Sequence, residues 1–168
     1  MSSAPLIRPA VESDAESIAR IYNQGIEERR STFETRLRTV DDTRAWLTPA
    51  ARYPVLVIDT GGGIGGWANL SNYRPRACYD GNAEFSIYVD RACRGRGYGA
   101  LLLQALIDEA RGRGYYKLIS RIFTDNQASL ALCRRLGFRE VGTYLRHGQL
   151  DGVWRDVVIV ERWLPEEA

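Results

Sequence analysis

The sequence predicts an α/β domain in which helices cover both faces of a mixed, mostly antiparallel sheet. Three observations predict it: short runs of β-branched and aromatic residues recur, segments with helical periodicity lie between them, and glycine-containing turns join several neighbours. The chain has 168 residues, of which 45% are hydrophobic, and this is enough for a sizeable core. We therefore expect a single domain over residues 1–168.

Three strands, two helices and a loop are predicted in the first half of the chain. They are a strand (6–8), a helix starting near residue 13, a helix (39–47), a hairpin of two strands (55–58 and 64–70) and a loop (72–82). Ser13 and Glu16 have the spacing of a capping box, which predicts where the first helix starts. Pro49 is predicted to stop the second helix.

The second half predicts four strands and two helices. They are a strand (83–89), a helix (101–110), a strand (116–123), a helix (126–136) and two last strands (138–145 and 153–160). Leu103, Leu106 and Ile107 fall at helical spacing, so one face of that helix packs on the sheet. Gly137 suits a left-handed helix end, and Asp151-Gly152 is typical of a hairpin turn.

Composition excludes several classes of protein. A net charge of +2 is too small to indicate nucleic acid, and no apolar run is long enough to cross a bilayer. The N-terminus lacks the apolar core of a signal peptide. The three cysteines are widely spaced without a metal-ligand pattern, and their odd number favours reduced thiols in a cytoplasm. We expect a cytoplasmic protein with no metal, no nucleic acid and no membrane partner.

Residues 87–110 carry the strongest functional signal. An apolar run ends at Val89, an Arg/Gly loop follows, and a helix opens directly after it. A strand, a glycine loop and a helix in this order point backbone N–H groups and the positive end of a helix dipole at an anion. We predict that the segment holds the pyrophosphate of a nucleotide-like cofactor. The residues assigned to it are Ile87, Tyr88, Val89, Arg94, Gly95, Arg96, Gly97, Tyr98, Gly99 and Ala100.

Two common nucleotide loops do not fit this segment. A Walker-type loop ends in Gly-Lys-Ser/Thr, whereas residues 99–101 are Gly-Ala-Leu. A dinucleotide fingerprint matches Gly95, Gly97 and Ala100 only weakly, and Ile119 stands about where it requires an acidic residue.

The loop instead reads Arg-x-x-Gly-x-Gly at Arg94, Gly97 and Gly99, and here the chain resembles the GCN5-related N-acetyltransferase superfamily. A second signature of that superfamily matches Asn126-x-x-Ser129 followed by Leu136-Gly137-Phe138. The resemblance implies an acetyltransferase fold, acetyl-CoA as co-substrate, and a contact between Asn126 and its pantetheine arm. From the residues alone, Asn126 is also a good helix N-cap.

Further segments are similar to the phosphinothricin acetyltransferase family, which includes enzymes acting on methionine sulfoximine, methionine sulfone and arsinothricin. They are Ile26-Glu27, Thr32-Phe33, Arg74-Pro75-Arg76, Glu84-x-Ser86-Ile87-Tyr88-Val89 and Gly152-x-Trp154-x-Asp156. The similarity implies acetylation of the α-amine of a small glutamate-like amino acid, giving resistance or detoxification. It also implies a homodimer.

The catalytic residues predicted are Glu84 and Val89. Acetyl transfer needs a neutral amine, so a general base is useful, and Glu84 lies on the strand that leads to the loop. The alternative is a solvent-facing strand residue. The resemblance assigns the stabilisation of the thioester oxygen to the backbone amide of Val89. Cys133 replaces the tyrosine that many superfamily members use as general acid, so the acid stays open between solvent, Tyr88 and Tyr144.

A substrate pocket is predicted from residues before and beside Glu84. Arg74 and Arg76 suit carboxylate or phosphinate oxygens, because a guanidinium pairs with a planar oxyanion in bidentate fashion. The alternative is a pair of surface arginines. Thr32 and Phe33 are expected to wall the pocket, although Phe33 also suits the core. The full substrate set is Glu27, Thr32, Phe33, Arg74, Arg76 and Glu84.

Two other functions compete with this one. The first is acetylation of a peptide N-terminus, as in ribosomal-protein acetyltransferases, for which an open groove is expected. The second is an acyl-CoA-binding module without chemistry, against which Glu84 counts. His147 is left out of the catalytic set because it precedes a hairpin turn and does not match the family pattern.

Overall fold

Seven strands form one sheet in the computed structural model, which describes residues 3–48 and 52–165. The strands are β1 (Leu6–Pro9), β2 (Val55–Asp59), β3 (Ile64–Asn72), β4 (Asn82–Val89), β5 (Lys117–Phe123), β6 (Arg139–Leu150) and β7 (Val153–Trp163). Their order across the sheet is β1-β2-β3-β4-β5-β7-β6. The β4–β5 pair is parallel and the other neighbouring pairs are antiparallel. The predicted mixed, mostly antiparallel sheet is confirmed.

Helices cover both faces of the sheet, as predicted. They are α1 (Ala15–Glu28), α2 (Val40–Arg44), α3 (Tyr98–Gly112) and α4 (Gln127–Arg135). Alternate side chains of β2 reach the two layers: Val55 and Val57 pack with Ile18 of α1, whereas Leu56 and Ile58 pack in the cluster that contains α3. A strand with both faces covered is apolar at every position, which explains its unbroken hydrophobic run.

The buried face predicted for the helix after the glycine loop is confirmed. Leu103, Leu106, Ile107 and Ala110 of α3 are fully buried. Each large aliphatic side chain buried in this way contributes about 1.5–3 kcal/mol of transfer free energy. This burial fixes α3 against the sheet and with it the position of the loop that precedes it.

The first-helix capping box is wrong. Ser13 and Glu16 do not cap α1; instead the carboxylate of Asp14 accepts a hydrogen bond from the amide of Val11 at 2.8 Å. Asp14 also accepts from Arg8 at 2.8 Å, and a single turn of 3-10 helix precedes α1. The carboxylate of Asp14 therefore closes the 3-10 turn before α1 and pairs with Arg8, and it makes no side-chain cap on α1 itself.

The second helix starts where predicted but is shorter. The Asp42 amide donates to Thr39 Oγ1 at 3.2 Å and the Thr39 amide donates to the Asp42 carboxylate at 2.8 Å, a reciprocal capping box. Regular α-helix then ends at Arg44, and a 3-10 turn continues to Leu47. Pro49, the predicted stop, lies outside the described residues.

The C-terminal hairpin is longer than predicted. β6 continues to Leu150 and β7 to Trp163, and the turn residues Asp151 and Gly152 both have positive φ, as a two-residue hairpin turn requires. The register of β6 shifts around Arg146, which has a φ of 48°. The predicted strand stops at residue 145, just before this shift. No helix in residues 3–48 or 52–165 is long and apolar enough to span a membrane.

Candidate active site

The candidate site lies where β4 and β5 separate. The two strands pair in parallel only from Asn82 to Glu84, opposite residues 117–119. Beyond this point Ser120 Oγ donates a hydrogen bond to the Phe85 carbonyl at 3.2 Å, and no further ladder pairs join the two strands in the described chain. The rest of β4 therefore has a strand neighbour on one side, β3, and a gap on the other.

The open edge of β4 presents the backbone of alternate residues. The Asp90 amide donates to the Gly65 carbonyl of β3 at 2.9 Å, so its N–H points toward β3. Successive N–H groups of an extended strand point to opposite sides, so those of Val89 and Ile87, beyond the last ladder pair with β5, point into the gap. This is the orientation that the predicted role of Val89 requires.

The Arg/Gly loop has a backbone conformation that requires its glycines. Gly95 has a φ of +79° and Gly97 a φ of +80°, a region that other L-residues rarely adopt. Gly97 is the N-cap of α3 and supplies no side-chain cap, so the first-turn amides from Tyr98 to Ala100 are left for another acceptor. The helix starts at Tyr98 rather than Leu101, which puts these amides at the positive end of its dipole.

Helix α1 anchors the loop through two ion pairs that the sequence did not reveal. Arg94 donates to both carboxylate oxygens of Glu28, at 2.8 and 2.7 Å. These hydrogen bonds lower the pKa of Glu28 below its usual value and outweigh its desolvation. Arg20 donates to Asp90 at 2.8 Å in the same way, just before the loop. Arg94 is therefore held against α1 although its residue is exposed, and Arg96 is exposed as well.

A cleft follows the gap from the loop toward α4. Asn126 caps α4 by accepting a hydrogen bond from the Ser129 amide at 3.3 Å, and both residues line the cleft beside Ile87. Cys133 lies at the inner wall with 2% of its surface exposed, and burial raises the pKa of its thiol to about 11. The N-cap interpretation of Asn126 is confirmed, and its side chain also faces the space that a pantetheine arm needs.

A second cavity, of about 490 Å³, borders β4 from the other face of the sheet. Glu84 lines it, with Thr32 and Phe33 from the segment after α1, as the predicted pocket required. Ser86 and Tyr88 share the face of Glu84 and line both the cavity and the cleft. The cavity and the cleft therefore meet at the middle of β4, where an acyl donor and an acceptor would come together.

Glu84 is ion-paired with a residue that the sequence interpretation missed. Arg121 Nη2 lies 2.8 Å from Oε1 and 2.9 Å from Oε2 of Glu84. Arg121 stands two residues beyond Ile119, the last residue of β5 that pairs with β4, so its side chain reaches back across the opening. The solvent-facing alternative for Glu84 is not what the structure shows, since 22% of its side chain is exposed. Only the tertiary structure reveals this contact, because β4 and β5 are neighbours in the sheet but far apart in the sequence.

The inner end of the cavity is aromatic. The Tyr88 ring stacks on Trp67 at 5.1 Å and meets the edge of Tyr22 at 4.9 Å. Burial raises the pKa of Tyr88 well above its usual value, so its hydroxyl keeps its proton. Phe33 packs edge-on against Phe123 at 4.8 Å, so it is both a pocket wall and part of a small core cluster.

Three predicted substrate residues lie outside the cavity lining. Arg74 and Arg76 are exposed on the loop between β3 and β4, stacked over Tyr73 and Tyr79 respectively. Glu27 is exposed on α1 beside a separate shallow groove. His147, which the sequence argument left out, does line the cavity at its β6 rim and stacks on Tyr144 at 4.5 Å.

The splayed strands, the uncapped helix N-terminus and the glycine loop are the features of one acetyltransferase architecture. The family model described as the acetyltransferase (GNAT) family matches residues 17–138. The chain therefore belongs to the GNAT acetyltransferase family, and the predicted fold and enzyme class are confirmed.

Two similar proteins indicate which group of acetyltransferases within this family the chain resembles. An L-methionine sulfoximine/L-methionine sulfone acetyltransferase of Pseudomonas aeruginosa is 35% identical over 158 residues, covering 92% of each chain. A phosphinothricin N-acetyltransferase of Streptomyces coelicolor is 34% identical, covering 93% of this chain and 94% of the relative. The resemblance to the phosphinothricin and methionine sulfoximine acetyltransferases is confirmed.

Two solved structures have nearly the same fold. The acetyltransferase yncA of Salmonella typhimurium, solved with its cofactor acetyl-CoA, has a TM-score of 0.93 and 32% identity, covering 99% of this chain and 97% of that one. A ribosomal-protein-alanine N-acetyltransferase of Brucella melitensis has a TM-score of 0.91 and 37% identity, covering 95% of this chain and 99% of that one.

Proposed function

We propose that the enzyme transfers the acetyl group of acetyl-CoA to the α-amine of a small glutamate-like amino acid, of the phosphinothricin, methionine sulfoximine, methionine sulfone or arsinothricin type. The consequence is detoxification of, or resistance to, such a compound. The observation that carries the proposal is the carboxylate of Glu84 in a cavity that meets the cofactor cleft on β4. The names of the relatives support the substrate class.

The loop and the open edge of β4 hold the acetyl donor. The amides from Gly95 to Ala100 bind the pyrophosphate at the N-terminus of α3, where the helix dipole favours negative charge. Arg96 adds positive charge, and Arg94 holds the loop on α1. Asn126 and the backbone of Ile87 border the pantetheine arm.

Glu84 and Val89 carry the transfer. Glu84 accepts the proton that the substrate ammonium must lose before its nitrogen has a lone pair. The nitrogen then attacks the thioester carbonyl, and the Val89 N–H stabilises the negative charge that develops on its oxygen. The C–S bond breaks as the amide forms, the nitrogen gives up its second proton to solvent, and the leaving thiolate takes a proton from solvent. Tyr88 is not assigned as the donor, since burial raises its pKa and holds its proton. Cys133 is too deeply buried to assign as that donor.

The remaining substrate residues lie in the cavity wall and on its outside. Thr32 and Phe33 wall the cavity. Arg74 and Arg76 are proposed to bind carboxylate or phosphinate oxygens of the substrate, for which their exposed guanidinium groups are free to move. Glu27 is included on the family resemblance.

Removal of the carboxylate tests the base. Glu84→Gln should lower kcat for L-methionine sulfone by about 10²–10⁴-fold near neutral pH, because a positioned base contributes about that much. The loss should shrink as pH rises and the substrate amine deprotonates without help. Thiol release from acetyl-CoA measures both effects.

Glu140→Gln is the matched control. Glu140 also accepts from an arginine, Arg134 at 2.6 Å, but on the surface between α4 and β6. The turnover of the Glu140→Gln variant should match that of the unmodified enzyme. Unchanged turnover in Glu84→Gln would remove the base assignment.

Acetylation of a peptide N-terminus is the second candidate, favoured by the likeness to the ribosomal-protein-alanine N-acetyltransferase. The same thiol-release assay separates the two with a panel of glutamate analogues and short alanine-terminated peptides. Faster turnover of the free amino acids supports the proposed function, and faster turnover of the peptides supports the alternative.

The C-terminal hairpin supports a homodimer as the working form. Leu145 is 75% exposed, and Tyr144, Val153 and Trp154 are more than half exposed beside it. β6 is also an edge strand of the sheet. Exposed apolar side chains on an edge strand are typical of a surface that a partner covers.

A cytoplasmic location is also part of the proposal. Cys78, Cys93 and Cys133 are all free thiols. A reducing compartment preserves this state.

A further inference from the structure

The Glu84–Arg121 ion pair combines the two charges that a free amino acid complements. Arg121 Nη2 and the Glu84 carboxylate oxygens are 2.8 and 2.9 Å apart, so a positive and a negative group lie side by side on the cavity wall. An α-amino acid carries an ammonium and a carboxylate on the same carbon. A zwitterion of this kind places its ammonium on a carboxylate and its carboxylate on a guanidinium.

The guanidinium has donors left for a second anion. Arginine offers five N–H donors. Among the hydrogen bonds of residues 3–48 and 52–165, Arg121 uses Nη2 alone. Its side chain is 51% exposed, so these donors can reach a ligand in the cavity.

The location of Arg121 matches the position of an α-carboxylate. Arg121 lines both the cofactor cleft and the substrate cavity, at the point where the acyl donor and the amine meet. A carboxylate on the carbon that bears the reacting amine has to lie next to that point. Arg74 and Arg76 lie on a separate loop outside the lining, where they suit a group further along the substrate.

Other charges around the cavity do not compete for this role. Glu34 is paired with Arg38 at 2.8 Å, so its charge is balanced without Arg121. His147 lies at the rim, stacked on Tyr144. Arg121 therefore supplies the guanidinium of the cavity lining.

We infer that Arg121 binds the α-carboxylate of the substrate and so selects free α-amino acids over amines, amides and peptides whose α-carboxylate is absent or blocked. This inference rests on the proposed function and names the residue that sets its substrate class. Arg121 also holds the Glu84 carboxylate in position before the substrate binds.

A comparison of an acid with its amide tests the inference. L-methionine sulfone and its α-carboxamide differ only at the carboxyl group, and thiol release from acetyl-CoA gives kcat and KM for both. Arg121→Gln should raise KM for the acid by about 10- to 100-fold, the usual cost of losing a hydrogen-bonded charge partner. The ratio of kcat/KM for acid over amide should fall by the same factor. The different acidities of the two amines cancel when this ratio is compared between enzymes.

Two further variants complete the test. Arg134→Gln removes an equally exposed, ion-paired arginine on the surface and should leave the ratio unchanged. Arg121→Lys keeps the positive charge but lacks the planar guanidinium, so its acid-over-amide ratio should lie between those of Arg121→Gln and the unmodified enzyme. It also gives the readout if Arg121→Gln does not fold.

The outcomes distinguish a failure of the Arg121 inference from a failure of the proposed function. If Arg121→Gln slows the acid and the amide equally, Arg121 acts only through Glu84 and the inference is overturned, while the proposed function stands. An unchanged ratio overturns it as well. If the unmodified enzyme turns over peptides and amides faster than any free amino acid, the proposed function and the inference both fail.

Discussion

Single residues in this site change their chemistry with their surroundings. Glu84 and Arg121 are ordinary exposed residue types in sequence, yet their pairing creates a dipolar group on the cavity wall. Cys133 occupies the position where the resemblance to the superfamily implies a tyrosine in many members, but its burial makes it an apolar wall of the cleft. The same reasoning leaves Tyr88 as a neutral hydroxyl beside the reaction centre.

The cysteines give a prediction at this scale. Burial raises the pKa of Cys133 to about 11, so its reactive thiolate is scarce below that pH. In the native protein at about pH 8, iodoacetamide should label the exposed Cys78 and leave Cys133 unmodified, and unfolding should make both react. Peptide mass mapping measures this. Labelling of native Cys133 at the rate of Cys78 would show that the cleft wall opens readily.

At the scale of elements, the site depends on how α1, β4 and α3 are joined. α1 holds the loop through Glu28 and Arg20, and the buried face of α3 holds its other end. Between these anchors the glycines adopt backbone angles that leave their amides uncovered. The loop is therefore positioned before any ligand binds, which reduces the entropy cost of binding.

Two glycines test the backbone requirement as a matched pair. A Cβ atom would meet nothing within 4 Å at either Gly97 or Gly112, but Gly97 has a φ of +80° and Gly112 lies in α3. Gly97→Ala should destabilise the protein by about 1–2 kcal/mol, a fall in Tm of a few degrees, and should weaken acetyl-CoA binding. Gly112→Ala should be neutral or slightly stabilising. Thermal unfolding and calorimetry measure these effects, and equal Tm values for the two variants would contradict the account.

At the scale of the whole molecule, the sheet has two different edges. β1 ends one edge with a strand of four residues, whereas β6 ends the other with twelve residues that are almost all exposed. Natural proteins seldom leave a long apolar edge uncovered, because it pairs with other chains. The proposed homodimer explains this asymmetry.

The hairpin surface can be tested with one charge. Leu145→Glu places a carboxylate at the most exposed apolar side chain of β6 and should convert the dimer to a monomer in light-scattering chromatography. Leu6→Glu is the control, since Leu6 is 60% exposed at the opposite edge and should leave the mass unchanged. A monomeric mass for the unmodified protein, or a dimeric Leu145→Glu variant, would count against the proposed interface.

Local patterns in the sequence were sufficient for most elements and for the loop. Turn glycines, helical spacing and strand runs depend on neighbours within a few residues, and they predicted the sheet, α3, α4 and the cap at Asn126. They failed in two places. The carboxylate of Asp14 pairs with Arg8 and takes part in the 3-10 turn before α1, and β6 continues past the register shift near Arg146, so that His147 lines the rim of the cavity.

The sequence by itself determined the acetyltransferase fold, the glycine loop before α3 and the strand that carries Glu84, because each is encoded in residues close together along the chain. The tertiary structure alone decided that Arg121 faces Glu84, that Glu28 holds Arg94, and that the cleft and the cavity meet on β4. These contacts join residues 37 or more positions apart. Whether such side chains meet depends on strand order and on where paired strands separate, which no local pattern records.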